Sequence, residues 1–239
     1  MTFLEMAQLL RQECSVSGDG PSAVTSQSGE YGRLINWIQQ AHEEIQNAHY
    51  DWKFLWNSGS FDTIAAQALY DLTSDADMGG VGAKIDDFAQ FVRYTQGDWH
   101  NQNKVLIDGD HLDELPWSEY RAAEYPTASG KPYLYMVRPD NKILFYPTPD
   151  AVYDISFEYY RTGLVLAAAS DSPLMPPRFH RAVVNRAMMY YGNYESADEV
   201  YKGGMEAYGL VMVQLEADQL PDRQDFLFNS GNDIRVVAE

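Results

Sequence analysis

The sequence predicts an α+β protein: a four-helix bundle built from the N- and C-terminal segments, an inserted β-rich domain, and an extended C-terminal arm. Three observations carry this. Apolar residues recur three or four apart at both ends, the middle breaks into short apolar or aromatic runs bounded by turn formers, and the apolar groups after Pro221 follow neither period. The expected division is 1–54 with 171–220 for the bundle, 55–170 for the insertion and 221–239 for the arm. Helices with one apolar face each bury it most simply against one another, which leaves the insertion to emerge between the second and the third.

Taken in order, Phe3, Met6, Ala7, Leu10 and Cys14 mark a first helix over 2–14, and Thr2 with Glu5 matches the S/T-x-x-E capping box. The stretch SVSGDGPSAVTSQSG reads as an exposed loop, because Ser, Gly, Pro and Asp favour turns. A second amphipathic helix over 30–48 carries Tyr31, Leu34, Ile35, Ile38, Ala41, His42 and Ile45 on one side, with Arg33, Gln40, Glu43 and Glu44 on the other. Strands are expected at 60–64, 88–94, 104–107, 133–138, 142–146 and 153–160. Tyr133 to Tyr146 is the best hairpin, since Pro139, Asp140 and Asn141 suit a tight turn. DELPWSEYRAAE, between Leu112 and Glu124, predicts one or two helical turns that Pro116 ends or opens.

After Pro173, Pro176 and Pro177 a helix is expected from Arg178, with Phe179, Val183, Ala187, Tyr190, Tyr191 and Tyr194 three or four apart. A last helix over 197–220 places Val200, Gly204, Tyr208, Val211 and Leu215 on one face, and Pro221 stops it. The aperiodic apolar groups beyond, among them Phe226, Leu227, Phe228 and Ile234, fit an arm that orders on a partner.

Composition narrows function. With 17 Lys and Arg against 35 Asp and Glu, the net charge of −18 opposes a grip on duplex DNA, which needs clustered cations to displace counterions. One cysteine, Cys14, excludes an intrachain disulfide and a multi-cysteine zinc site, and reads as a helix core residue. The opening MTFLEMAQLLRQEC carries Glu5, Arg11 and Glu13 and is not expected to be a signal peptide. The longest apolar run, Leu164 to Ala169, is far below a membrane span, so the expectation is a soluble protein made in a cytoplasm, without membrane contact.

Catalytic motifs are missing. There is no G-x-S-x-G elbow, Walker loop or G-x-G-x-x-G, and the Gly79, Gly80, Gly82 cluster reads as a loop tip. Among His42, His49, His100, His111 and His180 no pair has the i, i+4 spacing of two helical metal ligands; His42 and His49 read as packing residues. Asp75, Asp77 and Asp86 imitate part of a calcium loop, but Gly79 stands where an oxygen ligand belongs. Asp108, Asp110, Asp113 and Glu114 form an acidic cluster that reads as a solvated turn, although paired carboxylates can do acid–base work. No cofactor, no metal and no enzymatic activity are expected.

Aromatic content stands out: 17 Tyr, 10 Phe and 5 Trp. A core absorbs many of them, but the close pairs Tyr133 and Tyr135, Tyr159 and Tyr160, and Tyr190 and Tyr191 do not all face one core, so some should meet a neighbouring molecule. From Glu195 to Glu239, 10 acids stand against 3 bases; for any one residue this reads first as a solvated helix face, but on copies assembled around a shared channel the balance would repel a DNA strand and keep it sliding.

The stretches GKPYLYMVRPDNKILFYPTPDAVYDISFEYYRTG (130–163) and DSPLMPPRFHRAVVNRAMMYYGNYES (171–196) resemble the head-tail adaptor (connector) proteins of tailed bacteriophages, of the short-tailed type. MTFLEMAQLLRQEC, GEYGRLINWIQQAHEEIQ and DWKFLW resemble the opening of the same family. The resemblance implies a structural virion protein at the head-tail junction. It implies a homo-dodecameric ring between the portal and the tail or nozzle proteins, through which DNA passes during genome ejection without specific binding. Phe226, Leu227, Phe228 and Ile234 are then the expected partner-binding arm, and Tyr190, Tyr191 and Tyr194 the expected subunit contact. Two readings compete: a tail-completion or tail-tube protein of the same virion, and a carbohydrate-binding module, for which Trp99, Trp117 and the tyrosine runs argue. A glycan hydrolase ranks below both, because no motif commits a residue to a role.

Overall fold

The computed structural model describes residues 1–78, 84–92, 105–123 and 125–220, and they fall into two units: Met1–Leu55 with the chain from Gly163 onward, and Trp56–Thr162. Mixed helices and sheets make the protein α+β.

The first unit begins with α1 (Phe3–Glu13), opened by the expected capping box: the Glu5 N–H donates to Thr2 Oγ1 at 3.3 Å and the Thr2 N–H donates to Glu5 Oε2 at 2.8 Å. Two of the donors a helix start leaves orphaned are thus satisfied reciprocally. Cys14 is the buried C-cap residue rather than a member of the helix. α2 (Gly29–Asn47) buries Leu34, Ile35, Ile38, Ala41, His42, Ile45 and Gln46, the face its period marks. After a 3₁₀ turn at Lys53–Leu55 the chain leaves this unit and rejoins it at Gly163.

The third long helix starts later than expected. A 3₁₀ turn at Pro177–Phe179 comes first, and only from Arg181 does α4 (Arg181–Glu195) run on. Consecutive prolines supply fixed φ but no donors, so the first turn is held by i to i+3 bonds such as the Phe179 N–H to the Pro176 carbonyl at 2.9 Å. Ser196, with φ of 53°, turns the chain into α5 (Asp198–Gln219). α4 touches α1, α2 and α5. Its contact with α5 is backbone-close: a methyl at Gly192 would lie 2.7 Å from Tyr201 Cβ, and one at Gly204 2.9 Å from the Asn185 carbonyl oxygen. Glycine is what lets these two helices meet.

The second unit carries two sheets and one short helix, α3 (Trp117–Ala122). The first sheet is organised by β9 (Asp154–Arg161). Along almost its whole length β9 pairs antiparallel with β1 (Trp56–Asp62), while Ile155 to Phe157 pair with β4 (Val105–Ile107) and Tyr159 to Arg161 with β3 (Phe88–Phe91). β5 (Asp110–His111) extends β4 through a two-residue turn in which Asp108 and Gly109 both have positive φ, the Asp-Gly pattern of a type I′ hairpin.

The second sheet runs β2 (Leu69–Tyr70), β8 (Ile143–Tyr146), β7 (Leu134–Val137) and β6 (Asp113–Glu114), the last pair parallel. The expected hairpin is present as β7–β8, its three-residue turn placing Asn141 in the left-handed region. Phe61, Tyr70, Phe91, Phe145, Phe157 and Tyr159 lie in one buried cluster, with Phe61 5.3 Å from Tyr70 and Phe91 5.5 Å from Phe157 between ring centroids.

Three sequence expectations change. β1 starts at Trp56, four residues before the expected 60, because the full length of β9 draws the polar Asn57 and Ser58 into the ladder. Asp113 and Glu114 are strand, not helix, since β7 offers them a partner; Pro116 opens the single helix α3. On α5, Met212 joins Gly204 and Leu215 as buried, whereas Val200, Tyr208 and Val211 are only half-buried.

Candidate functional site

The acidic clusters are spent on structure. Lys131 Nζ lies 3.2 Å from Asp108 and 3.1 Å from Asp110, and both carboxylates, Asp110 first, raise the pKa of its ammonium. The two acids thus share one cation in a partly exposed ion-pair cluster. Asp77 accepts from the Gln67 amide and the Asp71 N–H, Asp75 accepts from the Lys84 N–H, and Asp86 pairs with Lys84. Among the described residues no group of three or more His, Cys, Asp or Glu side chains is placed to hold a metal ion, and no helix is long and apolar enough to cross a membrane.

Two histidines, His42 and His180, are buried. His42 is fully buried, its Nδ1 meets the Gln46 amide at 3.1 Å, and its pKa is lowered to about 4 by burial and then by nearby His180. His180 sits between the Met175 carbonyl at 2.9 Å and the first residue of the chain. His49 stacks edge-on against Trp52, and His111 is exposed on β5. Burial also lifts the Cys14 thiol to about 12, which removes it as a nucleophile. Trp99, His100 and the glycines at 79, 80 and 82 lie outside the described residues.

Surfaces remain. On the first unit Tyr190, Tyr191 and Tyr194 take three different roles. Tyr190 faces inward, under the Arg186 guanidinium at 4.9 Å, and burial followed by the Glu44 carboxylate pushes its phenol up to about 12. Arg186 bonds Glu44 at 2.6 Å and outweighs the effect of burial, so the Glu44 carboxyl is held below its usual value. Tyr191 meets Trp37 edge-on at 6.0 Å. Tyr194 is 57% exposed, with Trp37 at 5.6 Å and the Arg33 guanidinium 4.7 Å over its ring. Of the three, Tyr194 is the one that presents most of its surface outward.

Sequence reading missed the outer face of α5. The run Ala207 to Leu215 contains no charged residue, and a helix segment apolar on every side is normally covered on every side. Here Met212 and Leu215 are buried, while Leu210 is 70% and Val213 67% exposed. The signal was the uncharged run itself, hidden because a single-face pattern had already accounted for the helix.

The second unit shows a chain of rings. Trp117 stacks with Tyr120 at 5.7 Å, Tyr120 with Tyr125 at 5.1 Å, Tyr125 meets Tyr146 edge-on at 5.0 Å, and Tyr146 meets Tyr133 at 5.9 Å. Arg138 and Arg121 lie over Trp117 at 5.5 and 5.9 Å. Such partly exposed rings with cations fit a contact surface. The expected arm residues Phe226, Leu227, Phe228 and Ile234 lie outside the described residues.

Comparison with known proteins gives one positive result. No curated protein matches the chain. The family described as SU10 adaptor protein has a model that matches residues 1–225, a span that covers the second unit and all of the first except 226–239.

Proposed function

Because the chain belongs to the SU10 adaptor protein family, and is thereby a structural adaptor of a bacteriophage virion, we propose that it forms the ring joining the portal to the tail at the head-tail junction. The observation that carries this is the family match across both units, rather than over one transferable domain. The ring is a homo-dodecamer whose channel passes DNA without holding it, in keeping with a net charge of −18. In this reading α1, α2, α4 and α5 make a four-helix bundle over 1–54 and 171–220, and 55–170 form the insertion. Tyr194, supported by Tyr190 and Tyr191, belongs to the subunit contact, and the arm 221–239 grips the neighbouring virion protein through Phe226, Leu227, Phe228 and Ile234. The chain has no catalytic role.

The test is the mass of the native particle, by native mass spectrometry or light scattering, with and without the portal of the same phage. A twelvefold ring, alone or on the portal, is expected. A monomer that ignores the portal overturns the reading.

A carbohydrate-binding reading has one observation in its favour, the ring chain from Trp117 to Tyr133. Two of its contacts are face-to-face stacks, which leaves fewer free ring faces for sugar. A glycan-array signal abolished by Tyr133→Ala would revive it; silence removes it.

A further inference from the structure

We propose that the outer face of α5 in one copy packs against the Arg33–Tyr194 surface of the next copy, so that one chain carries both halves of the contact. The inference rests on the ring reading above and identifies the surface that Tyr194 meets.

The α5 half is defined by what the subunit leaves bare. Leu210 and Val213 project from the side of the helix opposite Met212 and Leu215, and Glu206 lies between them on the same outer side, one turn earlier. Gly209 belongs to this face. A methyl there would meet nothing within 4 Å, in contrast to Gly192 and Gly204, whose lack of a side chain the α4–α5 contact requires. Glycine inside a helix costs about 1 kcal/mol relative to alanine, and nothing in the subunit accounts for that cost at Gly209. A flat group approaching the helix backbone from another molecule does.

The other half is flat, aromatic and cationic. The Tyr194 ring is 57% exposed and stands against Trp37, with the Arg33 guanidinium above it. Arg33 Nε is buried without a hydrogen-bond partner, and no carboxylate pairs with Arg33 among the described residues. Glu206 is exposed and stands in no ion pair among the described residues. One surface of this unit thus offers a cation beside an exposed ring, and another offers a carboxylate beside exposed aliphatics.

This complementarity selects the occupant. Two Arg33 surfaces would set cation against cation, so a two-fold contact of that kind is disfavoured, whereas Glu206 meets an opposite charge on Arg33. Joining unlike halves gives a heterologous contact, the kind that repeats around a ring when its rotation closes.

The experiment places a benzoylphenylalanine photocrosslinker at position 210 in the full chain, assembles it with the portal of the same phage, and maps the products by mass spectrometry. Crosslinks from one copy to the segment 33–37 or 190–194 of another are expected. In parallel, Arg33→Glu and Glu206→Arg should each lower ring yield about tenfold, and the double variant should restore it. Crosslinks to the portal or to residues 221–239, or rings of normal mass without crosslinks, overturn this contact and leave the ring standing. A wild-type chain that stays monomeric with portal present overturns the ring and this contact together.

Discussion

Helices α4 and α5 follow one another and pack together, yet they live in different surroundings. α4, with 15 residues, buries Ala182, Val183, Val184, Asn185, Ala187, Met189 and Gly192 because α1, α2 and α5 surround it. α5 is longer, at 22 residues, and buries only Gly204, Met212 and Leu215. Its uncharged stretch from Ala207 to Leu215 is as apolar as a core helix, but the subunit covers one side of it. Composition and burial therefore disagree along α5, where they agree along α4.

The sharpest way to break the comparison is to shave both sides of α5. Leu215→Ala should destabilise the subunit by about 2–5 kcal/mol, the usual cost of a buried leucine, while Leu210→Ala should change it by less than about 0.5 kcal/mol. Urea midpoints of the two variants decide it, and equal losses would mean that α5 is covered on both sides within one copy.

Acid probes the buried face of α2 and the start of α4, where the two buried histidines lie. His42 takes up a proton at about 4 in the folded chain against 6.5 when free, so its contribution is whole above 6.5 and drains away as pH falls to about 4. A loss of about 3 kcal/mol across that window is expected, and His42→Gln should flatten the slope measured by denaturation at stepped pH.

Glycine substitutions give opposite signs. Gly192→Ala forces a methyl against Tyr201 and should cost about 1–3 kcal/mol, whereas Gly209→Ala meets open space and should raise subunit stability by up to about 1 kcal/mol. Thermal melts of the unassembled chain read both. Smallest of all is the effect of alkylating reagents on Cys14: the native thiol should react more slowly than in urea by orders of magnitude, and fast native labelling would show that the α1 end opens.

What the sequence made legible follows local physics. The Thr2–Glu5 box, the amphipathic period of α2 and the Pro139–Asn141 turn act within a few residues, and each stands where expected. β2 and β6 were missed because two-residue strands such as Asp113–Glu114 have no period of their own and exist only through their partners. The Asp108–Gly109 hairpin was missed for a different reason: its signal was present but was read as an acidic cluster. All three expected contact residues have a ring or cation of their own copy beside them, and Tyr194 alone stays largely exposed while Tyr190 and Tyr191 are half-buried, which no adjacency rule reveals.

The register of β1 on β9 has an evolutionary consequence. Trp56, the first residue of the β unit, pairs with Tyr160, two residues before its last, so the chain enters and leaves that unit on hydrogen-bonded neighbours. Paired Cα atoms in such a ladder are about 5 Å apart, a gap that one or two residues span. A single recombination event that exchanges everything between Leu55 and Gly163 therefore meets a short gap between its two junctions, whatever the length of the segment it brings in.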